Sequence, residues 1–141
     1  MVSKSVQLDN LRKVPLFAGC STPDLQHIVR AGDVIVMTGG TVIIDQGQLG
    51  RDAFVILSGS VVVRRNRRRI ATLGEGDVIG EMSLFDVGPR TATAICDRDC
   101  TLFVLDQRRL LTLLDERPGI ATKLLGALAG RIRSVDRTYV G

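Results

Sequence analysis

The chain holds a single histidine, His27, and three scattered cysteines, Cys20, Cys96 and Cys100, in 141 residues. Metal sites draw on clusters of such ligands, and an iron–sulfur cluster needs four thiolates or their equivalent. Ligands this sparse argue against both. An odd cysteine count without a secretory leader also argues against a disulfide framework, so reduced thiols are expected. No apolar run approaches the ~18 residues that cross a bilayer. Met1-Val2-Ser3-Lys4-Ser5 lacks the apolar core of a signal peptide. A soluble, cytoplasmic protein is the expectation. There is no internal repeat, no low-complexity linker, no nucleophile elbow, no P-loop lysine and no pair of carboxylates at a diagnostic spacing. Enzymatic chemistry therefore finds little support. His27 has no partner pattern around it and reads as a surface or half-packed residue.

What is present is enough for one domain with a real core, spanning 1–141, since hydrophobic residues make up 45% of the chain. Residues 1–31 read as helical. Leu8 and Leu11 give a weak apolar face; Thr22 is expected as an N-cap with Pro23 as the first helical residue, followed by Leu25, Ile28 and Val29 on one side. Over 32–106 short β-branched runs such as Val34-Ile35-Val36, Val42-Ile43-Ile44 and Val61-Val62-Val63 alternate with glycines. Strands at this spacing predict an antiparallel sandwich or barrel. Thr91-Ala92-Thr93-Ala94-Ile95 alternates, and its small residues leave room for a ligand inside. Helices return over 107–137. Asp106 can cap one carrying Leu110, Leu111, Leu113 and Leu114, and Pro118 opens another. Ile120, Leu124, Leu128, Ile132 and Val135 then predict one buried stripe, packed on the domain or on a second copy.

The net charge of +4 is local. Removing Arg64, Arg65, Arg67, Arg68 and Arg69 alone would make it negative. Basic clusters can bind nucleic acid or acidic lipid. Here the cluster surrounds Asn66 between two β-type runs, the pattern of a hairpin tip with solvated charges. A partner-docking patch at Arg64–Arg69 is the second reading, that of a ligand-independent interaction module.

The most informative run is Gly80-Glu81-Met82-Ser83-Leu84 followed by Pro89-Arg90-Thr91-Ala92-Thr93. A guanidinium is the side chain best suited to gripping a phosphate, and a carboxylate accepts hydrogen bonds from a sugar hydroxyl. Together they describe a pocket for a small phosphorylated sugar. The run resembles the phosphate-binding cassette of the cyclic nucleotide-binding domains, which occur in catabolite-activator-type regulators, cyclic-nucleotide-dependent kinases and gated channels. Val14-Pro15-Leu16-Phe17, Ile56-Leu57-Ser58-Gly59-Ser60-Val61 and Leu73-Gly74-Glu75-Gly76-Asp77 extend the resemblance over roughly residues 8 to 136.

The resemblance implies an α+β, mainly β fold: an antiparallel β-roll, jelly-roll-like, flanked by N-terminal and C-terminal helices. It implies that Arg90 binds the cyclic phosphate, with the amides of Met82 and Ser83 and the hydroxyl of Thr91, and that Met82-Ser83-Leu84-Phe85 form a short helix whose N-terminus faces the anion. Glu81 would take the ribose 2′-hydroxyl, or else pair with a basic residue when no ligand is bound, and Gly80 would keep clear of the sugar. Val63, Ile79, Met82 and Arg131 are candidate contacts for the base. Thr91 does not separate cAMP from cGMP; cAMP is expected, with cGMP second, and no cofactor or metal. Relatives that act on DNA continue into a helix-turn-helix, which these 141 residues do not contain. The output could be an effector protein, a homodimer through the C-terminal helix, or a DNA-binding regulator of which this is the sensor part. The roll also resembles that of cupins, but metal-binding cupins and phosphodiesterases need ligands the chain lacks.

Overall fold

The computed structural model describes residues 2–135. Two helices open the chain, α1 (Lys4–Arg12) and α2 (Thr22–Ala31), joined by a 3-10 turn at Pro15–Phe17. Each has a polar cap that takes up orphan amides. Ser3 Oγ accepts from Val6 N in α1. In α2 the cap is Ser21, one residue before the expected Thr22. Ser21 Oγ accepts from Asp24 N while the Asp24 carboxylate accepts from Ser21 N, a reciprocal pair that Thr22 could not make with a partner three residues on.

Ten strands follow: β1 (Asp33–Met37), β2 (Val42–Ile44), β3 (Leu49–Gly50), β4 (Asp52–Ser58), β5 (Val61–Arg65), β6 (Arg68–Leu73), β7 (Val78–Ile79), β8 (Gly88–Pro89), β9 (Thr93–Cys96) and β10 (Cys100–Asp106). They form two four-stranded antiparallel sheets, ordered β1-β10-β4-β7 and β2-β9-β5-β6, and a small β3-β8 pair. This is the expected antiparallel roll of jelly-roll type. A 3-10 turn at Glu81–Leu84 interrupts the strands between β7 and β8. The β5–β6 hairpin turns at Asn66-Arg67, both left-handed (φ 51° and 68°), as a two-residue hairpin turn requires.

Strand β4 is buried on both faces, which explains its unbroken apolar run Ala53-Phe54-Val55-Ile56-Leu57. Phe54 and Ile56 point into the roll with Val61, Ile79, Ala94, Cys96, Cys100 and Leu102. Ala53, Val55 and Leu57 point outward and are covered by the helices through Leu11, Leu16, Phe17, Leu25, Ile28 and Leu110. The helices thus seal one sheet and leave the interior of the roll to smaller side chains.

Helices α3 (Gln107–Glu116) and α4 (Pro118–Val135) close the described chain. Asp106 caps α3, accepting from Arg109 N at 2.7 Å. The stripe expected on α4 is buried only in its first half: Ile120 and Leu124 join the helical core and Leu128 is partly covered, but Ile132 is 57% exposed. The reason is reach: α4 packs on the Pro15–Phe17 turn and on α3, then runs past them. The side chain of Val135 and the expected helix end at 136–137 lie outside the described residues.

Candidate functional site

The site is built around Arg90. Strand β8 pairs with β3, and the backbone of Arg90 is held on both sides: its N–H donates to Gln48 O and its carbonyl accepts from Gly47 N, each at 2.8 Å. The guanidinium then lies over Gly50 and Gly80. A Cβ on Gly50 would overlap its Nε and Cζ, and a Cβ on Gly80 would overlap its Nη1. Nη1 donates to the carbonyl of Asp52 and to the hydroxyl of Ser83, both at 2.9 Å. These two bonds fix the plane of the guanidinium, and no hydrogen bond among the described residues engages its Nε or Nη2. Burial holds the Arg90 pKa below its ordinary value, opposed by the nearby Asp52 carboxylate, and the group stays cationic at neutral pH.

Glu81 opens the 3-10 turn behind Gly80, whose left-handed backbone (φ 72°) redirects the chain out of β7. Glu81 is mostly buried; its side chain is 11% exposed. Oε1 accepts from Arg131 Nη1 of α4 in an ion pair. Oε2 is buried without a hydrogen-bond partner among the described residues. A buried carboxylate oxygen left unpaired is costly, and positions of this kind in native proteins call for a ligand or a water.

These side chains line one cavity of about 490 Å³, within the ~300–1,000 Å³ range of small-molecule sites. Every residue singled out from the sequence lines it: Gly80, Glu81, Met82, Ser83, Arg90, Thr91, Val63, Ile79 and Arg131. Ile44, Leu73, Ala92 and Ala94 complete an apolar half opposite the polar half. The small Ala92 and Ala94 give the space that their alternation with threonine implied.

Three details differ from expectation. The short helix is a 3-10 turn beginning at Glu81, not Met82, because left-handed Gly80 starts it. The Ser83 amide is spent inside that turn on Gly80 O at 3.0 Å, so the serine meets the site through its hydroxyl on Arg90. Gly80 is demanded first by its backbone angle and by the guanidinium beside it, since these are what a side chain there would meet. Gly50, Asp52 and Arg65 also belong to the site, and nothing in their residue type or spacing points to it. In sequence Gly50 reads as one more turn glycine, Asp52 acts through a main-chain carbonyl that no residue type betrays, and Arg65 reads as one of the solvated charges of the hairpin. In fact Arg65 lines the cavity, and its Nε donates to Thr91 O at 3.1 Å.

The remaining reactive side chains lie elsewhere. His27 sits in a groove between α2 and α3 with Arg30, Asp106 and Arg109. Cys96 and Cys100 are free thiols inside the roll, and burial followed by contact with Cys100 pushes the Cys96 thiol up to about 11.

Known proteins resemble this chain in sequence and in fold. The family described as "Cyclic nucleotide-binding domain" matches residues 29–117, more than half of the chain. The "Cyclic AMP receptor protein" of Thermus thermophilus is 33% identical over 127 residues, 86% of this chain and 59% of that protein. A "cAMP-dependent protein kinase regulatory subunit" of Mycosarcoma maydis is 31% identical over 134 residues, 92% of this chain and 24% of that protein. The chain thus spans less than two thirds of the length of these relatives. Among solved structures, the N-terminal domain of a transcriptional regulator from Streptomyces coelicolor A3(2) superposes with a TM-score of 0.88 at 31% identity, covering 94% of this chain and 99% of that one. By sequence match and by fold, this chain belongs to the cyclic nucleotide-binding domain family.

Proposed function

We propose that the cavity binds a cyclic nucleotide, cAMP ahead of cGMP, and that binding is signalled through α4. The observation that carries this reading is the buried Glu81 Oε2, unpartnered among the described residues, in the same cavity as the Arg90 guanidinium. One acceptor is held out of water without a donor, and one cation has donors to spare. A ribose 2′-hydroxyl and a singly charged cyclic phosphate would satisfy both. Gly80, Ser83 and Gly50 position the guanidinium, Met82 and Thr91 border the phosphate side, and Val63 and Ile79 form an apolar wall for the purine. Two relatives named for cAMP support the order of preference.

Arg131 is the link to output. It reaches from α4 to Glu81 Oε1, so one carboxylate would hold the sugar by one oxygen and the helix by the other. A ligand that orders Glu81 would then bias the position of α4, the two-state element of the switch. Arg131 also lines the cavity, where its guanidinium could turn onto the base.

Calorimetry with cAMP and cGMP on wild type and Arg90→Ala tests the binding. The expected loss in the variant is about 10–100-fold or more, the scale of one charged hydrogen bond at ~1.5–3 kcal/mol. Millimolar or absent wild-type binding of both nucleotides would defeat the reading. The cavity contains no histidine, and bound cAMP is expected to be recovered intact, as from a sensor and not an enzyme. The domain would act in the cytoplasm, on an effector protein or within a longer DNA-binding regulator. Leu125 and Ile132, 66% and 57% exposed on α4, are proposed to meet a second copy.

A further inference from the structure

We propose that the tip of the β5–β6 hairpin, Arg64 to Arg69, is a docking point for an acidic segment of a partner protein. The hairpin breaks local rules in three places. Its register sets Arg64 opposite Arg69 and Arg65 opposite Arg68, two like-charge pairs across the strands, an arrangement that opposes strand pairing. Arg67 occupies a left-handed position (φ 68°) where glycine is preferred. All five arginines are exposed, and among the described residues none is in an ion pair.

The tip is nevertheless held firmly. Gln46 clamps Asn66 by two hydrogen bonds of 2.9 Å, Gln46 Oε1 accepting from Asn66 N and Gln46 Nε2 donating to Asn66 Oδ1. Arg65 ties the hairpin to Thr91 O. A cluster that opposes folding yet is anchored in one shape is a presented surface, and local inconsistencies of this kind gather at functional sites.

Carboxylates fit it better than a nucleic acid does. Guanidinium forks match carboxylates and phosphates alike in paired hydrogen bonds, so the choice rests on the extent of the charge and on Ile70. A nucleic-acid interface needs positive charge along many phosphates, whereas here the basic excess is confined to this tip, the remainder of the chain being net negative. The register also shifts between Val63 and Arg64, leaving Ile70 unpaired and 48% exposed beside Arg69. An apolar residue of a peptide can cover Ile70; a phosphate backbone cannot.

The proposal does not rest on nucleotide binding and is tested without nucleotide. A labelled oligoglutamate peptide containing one leucine is titrated by fluorescence anisotropy with wild type and with the triple variant Arg67→Gly, Arg68→Gln, Arg69→Gln. A short DNA duplex matched in negative charge serves as competitor. The variant is expected to bind at least about tenfold more weakly, and to melt at or above the wild-type temperature because the like-charge pairs and the strained turn residue are gone. Absent wild-type binding, equal binding by the variant, displacement by DNA at lower concentration than by unlabelled peptide, or a lower melting temperature of the variant would each overturn it.

Discussion

A guanidinium can serve as an anion receptor only if something holds its plane and clears its approach. Arg90 receives both: Gly50 and Gly80, having no side chains, leave the space it occupies, and the Asp52 carbonyl and Ser83 hydroxyl orient Nη1. The two glycines should therefore fail differently on substitution. Gly80→Ala puts an ordinary residue into a left-handed backbone, costing about 1–2 kcal/mol, and also displaces the guanidinium; both the melting temperature and cAMP affinity are expected to drop. Gly50 has no left-handed backbone, so Gly50→Ala should cost affinity more than stability, which calorimetry and thermal unfolding run side by side would show. At Glu81, replacing cAMP by its 2′-deoxy analogue leaves Oε2 unpaired and should weaken binding by ~1–3 kcal/mol; equal affinities for the two would remove the sugar from the site. Of these residues, Glu81 and Arg90 were legible in the sequence because charge type and spacing specify their chemistry. The Asp52 carbonyl was not, since a main-chain acceptor is common to every residue.

Elements meet at a few charged contacts, and these carry the pH dependence. Asp24 closes the capping box of α2 and also accepts from Lys123 of α4, so it joins the first helical segment to the last. The Lys123 hydrogen bond, with the Ser21 amide, holds its carboxyl below the usual range. A depressed carboxyl pKa contributes stability that is complete above the unfolded value, ~3.9 for Asp, and is lost as pH falls through the folded one. Thermal stability is therefore expected to fall as the pH drops below about 4, and Asp24→Ala, losing its half of the capping box and the Lys123 pair while Ser21 still caps, should destabilise by about 1 kcal/mol at neutral pH and flatten that acid dependence. The pattern of apolar residues announced α2, α3 and α4 as helices because burial at one face repeats with the helical period. It did not reveal where α4 leaves the core, since that depends on how far the Pro15–Phe17 turn extends beneath it.

The whole domain separates stability from binding. The larger core lies between the helices and the outer face of β4 and β10, away from the cavity, while the roll interior holds fewer and smaller residues. This division lets the site keep an unpaired carboxylate oxygen and a glycine-lined cation without emptying the main core. The exposed Leu125 and Ile132 of α4 extend the argument to association. Sedimentation of wild type at micromolar concentration is expected to show a dimer, and Leu125→Glu with Ile132→Glu a monomer; a monomeric wild type would sink that proposal.

Local pattern was sufficient for the succession of helical, β and helical regions, for the hairpin tip at Asn66 and for picking out Glu81 and Arg90 as a pair, because each rests on residue type and short-range spacing. Only the tertiary structure placed Gly50 under the guanidinium, brought Arg65 from the charged hairpin to Thr91, and set Arg131 on one oxygen of Glu81 while leaving the other unpartnered. Those relations join residues far apart in the chain, and they arise from how the roll closes and where α4 crosses it, which no local spacing encodes.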